Sequence, residues 1–152
     1  MRYTALGLTL LIVVACHEVT GPRELLPRAS QTVPGVQVTV TANRTTVSPG
    51  DSVTFRALAF NGSNVPVQLG EACGPAMDVV VRAPTGREES ALVRNRVYPC
   101  VGIEDWVNPG ERRTIQTAWQ APTLRGSYSA RAGLRRHDGL GNESPPLTIE
   151  VR

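Results

Sequence analysis

The chain has 152 residues, 41% of them hydrophobic and 19% charged, which suffices for one domain with a real core and falls short of two. Its 16 basic residues are all Arg and stand against 13 acidic ones, so the charge is close to balanced once Arg2 is set aside with the leader. A nucleic-acid binder needs clustered cations and aromatic platforms, and the only adjacent cations are Arg112-Arg113 and Arg135-Arg136, each read as a solvated edge.

Residues 1–15 read as a secretory leader. Arg2 supplies the positive start, Ala5 to Val14 the apolar run, and Ala15 the small residue before Cys16. The run is about half of the ~20 residues that a spanning helix needs, so a permanent transmembrane helix is not expected. Val13-Val14-Ala15-Cys16 resembles the lipobox of bacterial lipoproteins. That resemblance implies lipidation of the Cys16 thiol, with the signal cut just before it. The protein would then be anchored by lipid to a membrane of the bacterial envelope, facing the periplasm or the exterior. Residues 16–34, with Pro22, Pro27 and Pro34 and no sustained period, read as a flexible tether.

From Gly35 the text alternates with period two. Val36, Val38, Val40 and Ala42 share one face; Val53, Phe55, Ala57 and Ala59 share another. Leu58 and Phe60 make the second face apolar near the end of that run. Met77, Val79 and Val81 oppose Asp78 and Arg82, and Ile115 and Trp119 oppose Thr114 and Gln116. Tyr128, Ala130, Ala132 and Leu134 form a fifth set, and Leu147, Ile149 and Val151 a sixth. Such alternation predicts strands with one face on a core and one in water. Turn chemistry separates them at Ser48-Pro49-Gly50-Asp51, Asn61-Gly62-Ser63-Asn64, Pro84-Thr85-Gly86, Asn108-Pro109-Gly110-Glu111 and Gly139-Leu140-Gly141-Asn142.

Weaker strand candidates at 65–69 and 92–98 raise the total to seven or eight. No segment carries a helical stripe. The expected fold over 35–152 is therefore an all-β, immunoglobulin-like antiparallel sandwich. Tyr128 sits where a tyrosine corner belongs, or is a core Tyr without special role. The echo of "SPGDSVTF" at 48–55 in "NPGERRTI" at 108–115 reads as one turn solution used twice rather than as a duplicated module. The Asn-x-Ser/Thr triplets at Asn43, Asn61 and Asn142 are read as chance rather than as glycan acceptors.

Chemistry is sparse. There is no CxxC, and His17 and His137 lie far apart, so neither a metal nor a cofactor is expected. His137-Asp138 lacks a nucleophile context, and Glu104-Asp105 would point to opposite faces of a strand. The chain is not expected to be an enzyme or to have a small-molecule substrate. With Cys16 assigned to lipid, Cys73 and Cys100 remain, and export would put them where disulfides persist. A disulfide closing 74–99 would stabilise the fold by roughly 3–4 kcal/mol in the chain-entropy model.

The order of several segments is similar to the intracellular proteinase inhibitor, or BsuPI-like, domain. They are "VTANRTTVSPGDSVTFRALAFNGSNVPVQL" at 39–69, "MDVVVRAPTGRE" at 77–88, "VNPGERRTIQTAWQAP" at 107–122 and "GSYSARAGL" at 126–134. The resemblance implies a small β-sandwich over roughly 36–151 and a peptidase as partner. In "RNRVYPC", Arg94, Arg96 and Tyr98 form a candidate interaction loop beside Cys100, suited to a protease cleft. Two functions compete: an anchored protein-interaction or structural module contacting an envelope protein, and a serine peptidase inhibitor. For the cysteines, Cys73 and Cys100 are expected to resist alkylation in the native protein until a reductant is added. Two reactive thiols in the unreduced protein rule the bond out.

Overall fold

The computed structural model describes residues 33–70, 74–93, 104–136 and 139–152. Eleven strands are found among them, and no helix. They are β1 (Val36–Ala42), β2 (Thr46–Val47), β3 (Ser52–Asn61), β4 (Val67–Gly70), β5 (Met77–Arg82), β6 (Glu88–Ala91), β7 (Asp105–Val107), β8 (Arg112–Gln120), β9 (Gly126–Arg136), β10 (Gly139–Gly141) and β11 (Leu147–Val151). One sheet runs β1-β3-β8. The other runs β2-β11-β9-β5-β6, with β10 also on β9, and β4 and β7 form a separate ribbon. All pairs are antiparallel except β2 with β11.

The six strands expected from alternation are all present, and the all-β sandwich is the observed class. The segment at 65–69 becomes β4; of the 92–98 candidate, Leu92 and Val93 lie in a turn and 94–98 fall outside the described residues. Alternation places the core as expected on β3, where Val53, Phe55 and Ala57 are fully buried while Thr54 and Arg56 are exposed. One cluster joins these residues to Met77, Val79, Val81, Tyr128 and Ile149 of the opposite sheet. Val67, Leu69 and Val107 of the ribbon belong to the same cluster, so the ribbon covers part of the shared core.

Three aromatic rings cross between the sheets. Trp119 packs against Phe55 with centroids 6.5 Å apart and against Tyr128 at 5.3 Å, both tilted. Tyr128 is buried, and its hydroxyl donates to Leu124 O, four residues upstream, at 2.7 Å. This is a tyrosine corner, which removes the plainer of the two expectations for this residue.

Strand β5 departs from the expected pattern. Asp78, expected on the wet face, is as buried as Met77 and Val79, and so is Val80 beside it. Val80 packs with Ala91 of β6 and Leu140 of β10, so the second sheet carries a small apolar cluster on its outer face as well. Residues 139–141, expected as a turn, are the strand β10 that provides Leu140 for this cluster. The Asp78 carboxylate accepts N–H groups from Val79 and Val93, both at 2.7 Å, and so holds the turn after β6.

The repeated Pro-Gly-acid text serves the β3–β8 pair at both ends. Gly50 and Gly110 have φ of 85° and 75°, a conformation open to glycine and strained for other residues. Asp51 N donates to Ser48 O and Glu111 N to Asn108 O, both at 3.0 Å, closing the same four-residue turn twice. Each acid then accepts the first residue's N–H, Ser48 to Asp51 and Asn108 to Glu111, both at 2.9 Å. Each turn glycine also seals the far end of the partner strand: Gly50 N donates to Ala121 O, and Gly110 N to Asn61 O. The echo is thus one turn solution at two ends of one strand pair, as expected.

Phe55→Ala is expected to cost about 3–5 kcal/mol in denaturant unfolding, because the ring is fully buried. Arg56→Ala, one step along and facing water, should change stability by less than about 0.5 kcal/mol. Equal effects would mean that the register is wrong. Glu111 supplies a pH test. The Asn108 backbone N–H, and then the paired Arg113 guanidinium, hold its carboxyl below the ordinary 4.5. Its stabilising contribution is therefore present above that value and is lost as pH falls below it, through the lowered folded-state value. The difference in Tm between wild type and Glu111→Gln should narrow as pH drops below 4.5. A constant difference across that range would show that the charge contributes nothing.

Candidate interaction surface

Cys16, Cys73, Cys100, Arg94, Arg96, Tyr98 and the His137-Asp138 pair all lie outside the described residues. What the structure does describe are the two stems of the 94–103 segment. On the upstream side, Val93 is buried and its N–H is held by Asp78. On the downstream side, Glu104 leads into β7, which is fixed by two separate groups, Asn61 and Arg113.

Asn61 closes β3 with its side chain turned inward and 1% exposed. Its Nδ2 donates to Val65 O at 2.8 Å and to Val107 O at 2.9 Å. Its Oδ1 accepts Ser63 N at 2.9 Å and the Ser63 hydroxyl at 2.7 Å, an Asx turn that shapes the 62–66 connection. Its backbone N–H donates to Glu111 O, and its backbone carbonyl accepts from Gly110 N. One residue therefore links the end of β3, the lead into β4 and the end of β7 through its side chain, and the second Pro-Gly turn through its backbone. A buried amide in this position costs about 1–3 kcal/mol for each partner left unsatisfied.

Arg113 works from the other side of the ribbon. Its guanidinium donates to Asp105 at 3.1 Å, to Trp106 O at 3.0 Å and to Glu111. Glu111 first and then Asp105 raise its pKa above the ordinary arginine value. The neighbouring Arg112 instead lies over the Phe60 ring, 5.2 Å from its centroid. The doublet is split between two tasks and forms no cationic patch.

Trp106 is 46% exposed, and its indole N–H donates to Glu104 at 2.8 Å. Glu104 and Asp105 thus face different partners, Trp106 and Arg113, and do not form a carboxylate pair. Among the described residues, no group of three or more His, Cys, Asp or Glu is gathered as a metal site would require. The ribbon offers an aromatic plane, carboxylates and backbone groups on a fixed base, which is equipment for recognition. In the sequence Trp106 stands beside the acidic pair Glu104-Asp105, and Asn61 reads as turn chemistry. The usable signal was an Asn-Gly-Ser run directly after an alternating strand, with a Trp next to charged residues on a short strand.

The three Asn-x-Ser/Thr triplets also receive a physical explanation. Asn43 Oδ1 accepts Thr54 N at 2.9 Å, Asn61 is the hub above, and Asn142 binds the backbone of Val33 and Val36. All three amides are occupied by the fold.

The fold is similar to part of the alkylpurine DNA glycosylase AlkC of Pseudomonas fluorescens, solved bound to DNA containing an abasic site analogue. The TM-score is 0.52 and the identity 11%, over 81% of this chain and 32% of that one. A β-glucosidase of Erythrobacter marinus follows at a TM-score of 0.48 and 13% identity, over 77% of this chain and 15% of that one. The sporulation control protein Spo0M of Bacillus subtilis also matches at a TM-score of 0.48, with 12% identity, over 79% of this chain and 50% of that one. This chain therefore spans half or less of the length of each. No curated protein matches it.

The family model BsuPI, described as intracellular proteinase inhibitor, matches residues 40–139. That description overturns the expected location: it points to the cytoplasm, where Val13–Cys16 pointed to a lipid-anchored protein facing out of a bacterial envelope. Four residues behind an apolar run are a short local pattern, whereas the match extends along most of the strand framework. The compartment argument for pairing Cys73 with Cys100 falls with that address. By the extent of the match, the chain belongs to the BsuPI family of intracellular proteinase inhibitors.

Proposed function

We propose that this protein inhibits a peptidase by presenting the segment that carries Arg94, Arg96 and Tyr98 to the enzyme's cleft. The observation that carries this reading is the family match, which runs through that segment. The stems add physical support. Val93 is tied to Asp78, and β7 is tied to Asn61 and Arg113, so the ends of the segment are fixed before any partner arrives. Fixed ends lower the ordering cost of binding. Arg94 or Arg96 suits a trypsin-like pocket with an acid at its base, and Tyr98 suits a chymotrypsin-like one.

A second reading rests on Trp106. An exposed tryptophan on a braced ribbon is the kind of residue that dominates protein–protein contacts, so the domain would act as a binding module through β4 and β7. The two readings separate in one experiment. Purified protein is titrated against a panel of serine peptidases, beside the Arg94→Ala/Arg96→Ala double variant, Tyr98→Ala and Trp106→Ala. Stoichiometric inhibition that is lost in the double variant or in Tyr98→Ala, and kept in Trp106→Ala, supports the inserted segment. Loss in Trp106→Ala alone supports the ribbon. Absence of inhibition at micromolar concentration, or steady cleavage at the two arginines, sinks the inhibitory reading.

A further inference from the structure

Asn61-Gly62 is a dipeptide prone to lose its side-chain amide, because a glycine leaves its own backbone nitrogen unshielded for attack on the preceding side chain. In this protein that nitrogen is engaged: Gly62 N donates to Gly35 O at 2.9 Å. Gly35 lies in the stretch Val33–Val36, where the described chain begins. The β1–β3 ladder fixes the end of that stretch, where Val36 stands opposite Asn61, and one side chain ties down the residues before it. Asn142 Oδ1 accepts Val33 N at 2.7 Å, while Nδ2 donates to Val33 O at 2.9 Å and to Val36 O at 2.7 Å. Asn142 itself has φ of 47°, a left-handed conformation that asparagine tolerates better than most residues. The contact between the stretch and the 62–63 backbone is close: a Cβ on Gly35 would come 2.6 Å from Ser63 Cβ.

We propose that Asn61-Gly62 is a deamidation site held shut by residues 33–36, and that release of this strap leads to loss of the Asn61 hub. In the reaction, Gly62 N gives up its proton and attacks Asn61 Cγ. A C–N bond forms to close a succinimide, the Cγ–Nδ2 bond breaks, and ammonia leaves. Water then opens the ring at one carbonyl or the other, giving aspartate or isoaspartate. The net change is one water consumed and one ammonia released.

The product cannot do what the amide did. A carboxylate has no proton to donate to Val65 O and Val107 O, and it repels both carbonyls at the distances Nδ2 now occupies. Isoaspartate adds a backbone carbon where the Asn61 N–H and carbonyl meet Glu111 and Gly110. Either product loosens the ribbon at β7. The proposal stands on these hydrogen bonds and does not depend on whether the protein inhibits a peptidase.

The test uses the full chain in mildly alkaline buffer, with peptide mass spectrometry following the one-dalton gain and isoaspartate at residue 61. Native wild type should deamidate at least about tenfold more slowly than the same chain in urea, because attack requires local opening. Asn142→Ala, checked for its β-sheet signal by circular dichroism, should deamidate faster than wild type. Asn142→Asp keeps an acceptor for Val33 N and loses both donations, so its rate should fall between the two. Adding Gly62→Ala should slow the reaction in either background. The proposal is overturned if native wild type reacts as fast as in urea, or if a folded Asn142 variant reacts no faster than wild type. If Asn142→Ala does not fold, Asn142→Asp and hydrogen exchange at Gly62 decide: a protected Gly62 amide that Asn142→Asp exposes supports the strap, and an unprotected amide in wild type overturns it.

Discussion

The β3–β8 pair fixes the register on which the rest of the sandwich depends. Its two strands align residue for residue from Ser52 with Gln120 to Phe60 with Arg112. At each end a Pro-Gly-acid turn accepts the terminus of the other strand, so the pair is closed by related chemistry on both sides. A slip of β3 by one residue would send Phe55 into water and bring Arg56 inward, and the same slip of β8 would do so to Trp119 and Gln116. The turns oppose such a shift because their glycines occupy a backbone region that their neighbours would enter only under strain. With this register set, Trp119 meets both Phe55 and Tyr128, and the second sheet acquires its inner face.

The candidate surface is built on the end of that pair. Asn61 is the last residue of β3, and Glu111 and Arg113 stand at the start of β8 and its turn. The ribbon of β4 and β7 is therefore supported by the most strongly registered part of the fold, while its own pairing is short and interrupted by a register shift between Gln68 and Gly70. Such an arrangement suits a family of inhibitors. A recognition element can be small when the framework beneath it supplies the rigidity.

Much of the architecture could be read from the text because period-two alternation is a local property. Val53, Phe55 and Ala57 declare their face without knowledge of any partner, and the Pro-Gly-acid repeat declares its turn. Asp78, Val80 and residues 139–141 could not be read in this way. Val80 is buried by side chains of β6 and β10 on the outer face of the second sheet, and Asp78 by the turn after β6, and nothing near residue 78 encodes those neighbours. Asn61 is legible as turn chemistry, but its partners at 65, 107, 110 and 111 come together only in the folded chain. The location was misjudged for a related reason. A motif of four residues speaks only for its immediate neighbourhood, and the domain that follows it belongs to a family described as intracellular.

The two tryptophans occupy opposite surroundings, with Trp119 buried at 5% exposure between the sheets and Trp106 at 46% on the ribbon. Indole emission shifts to the red as water gains access, so each ring carries its own spectral signature. Trp119 reports on the integrity of the interface between sheets, and Trp106 on whatever comes to rest against β7. A single fluorescence spectrum of the unlabelled protein can then distinguish a partner arriving at the ribbon from a core coming apart. Replacing either ring by phenylalanine leaves the other as a sole reporter.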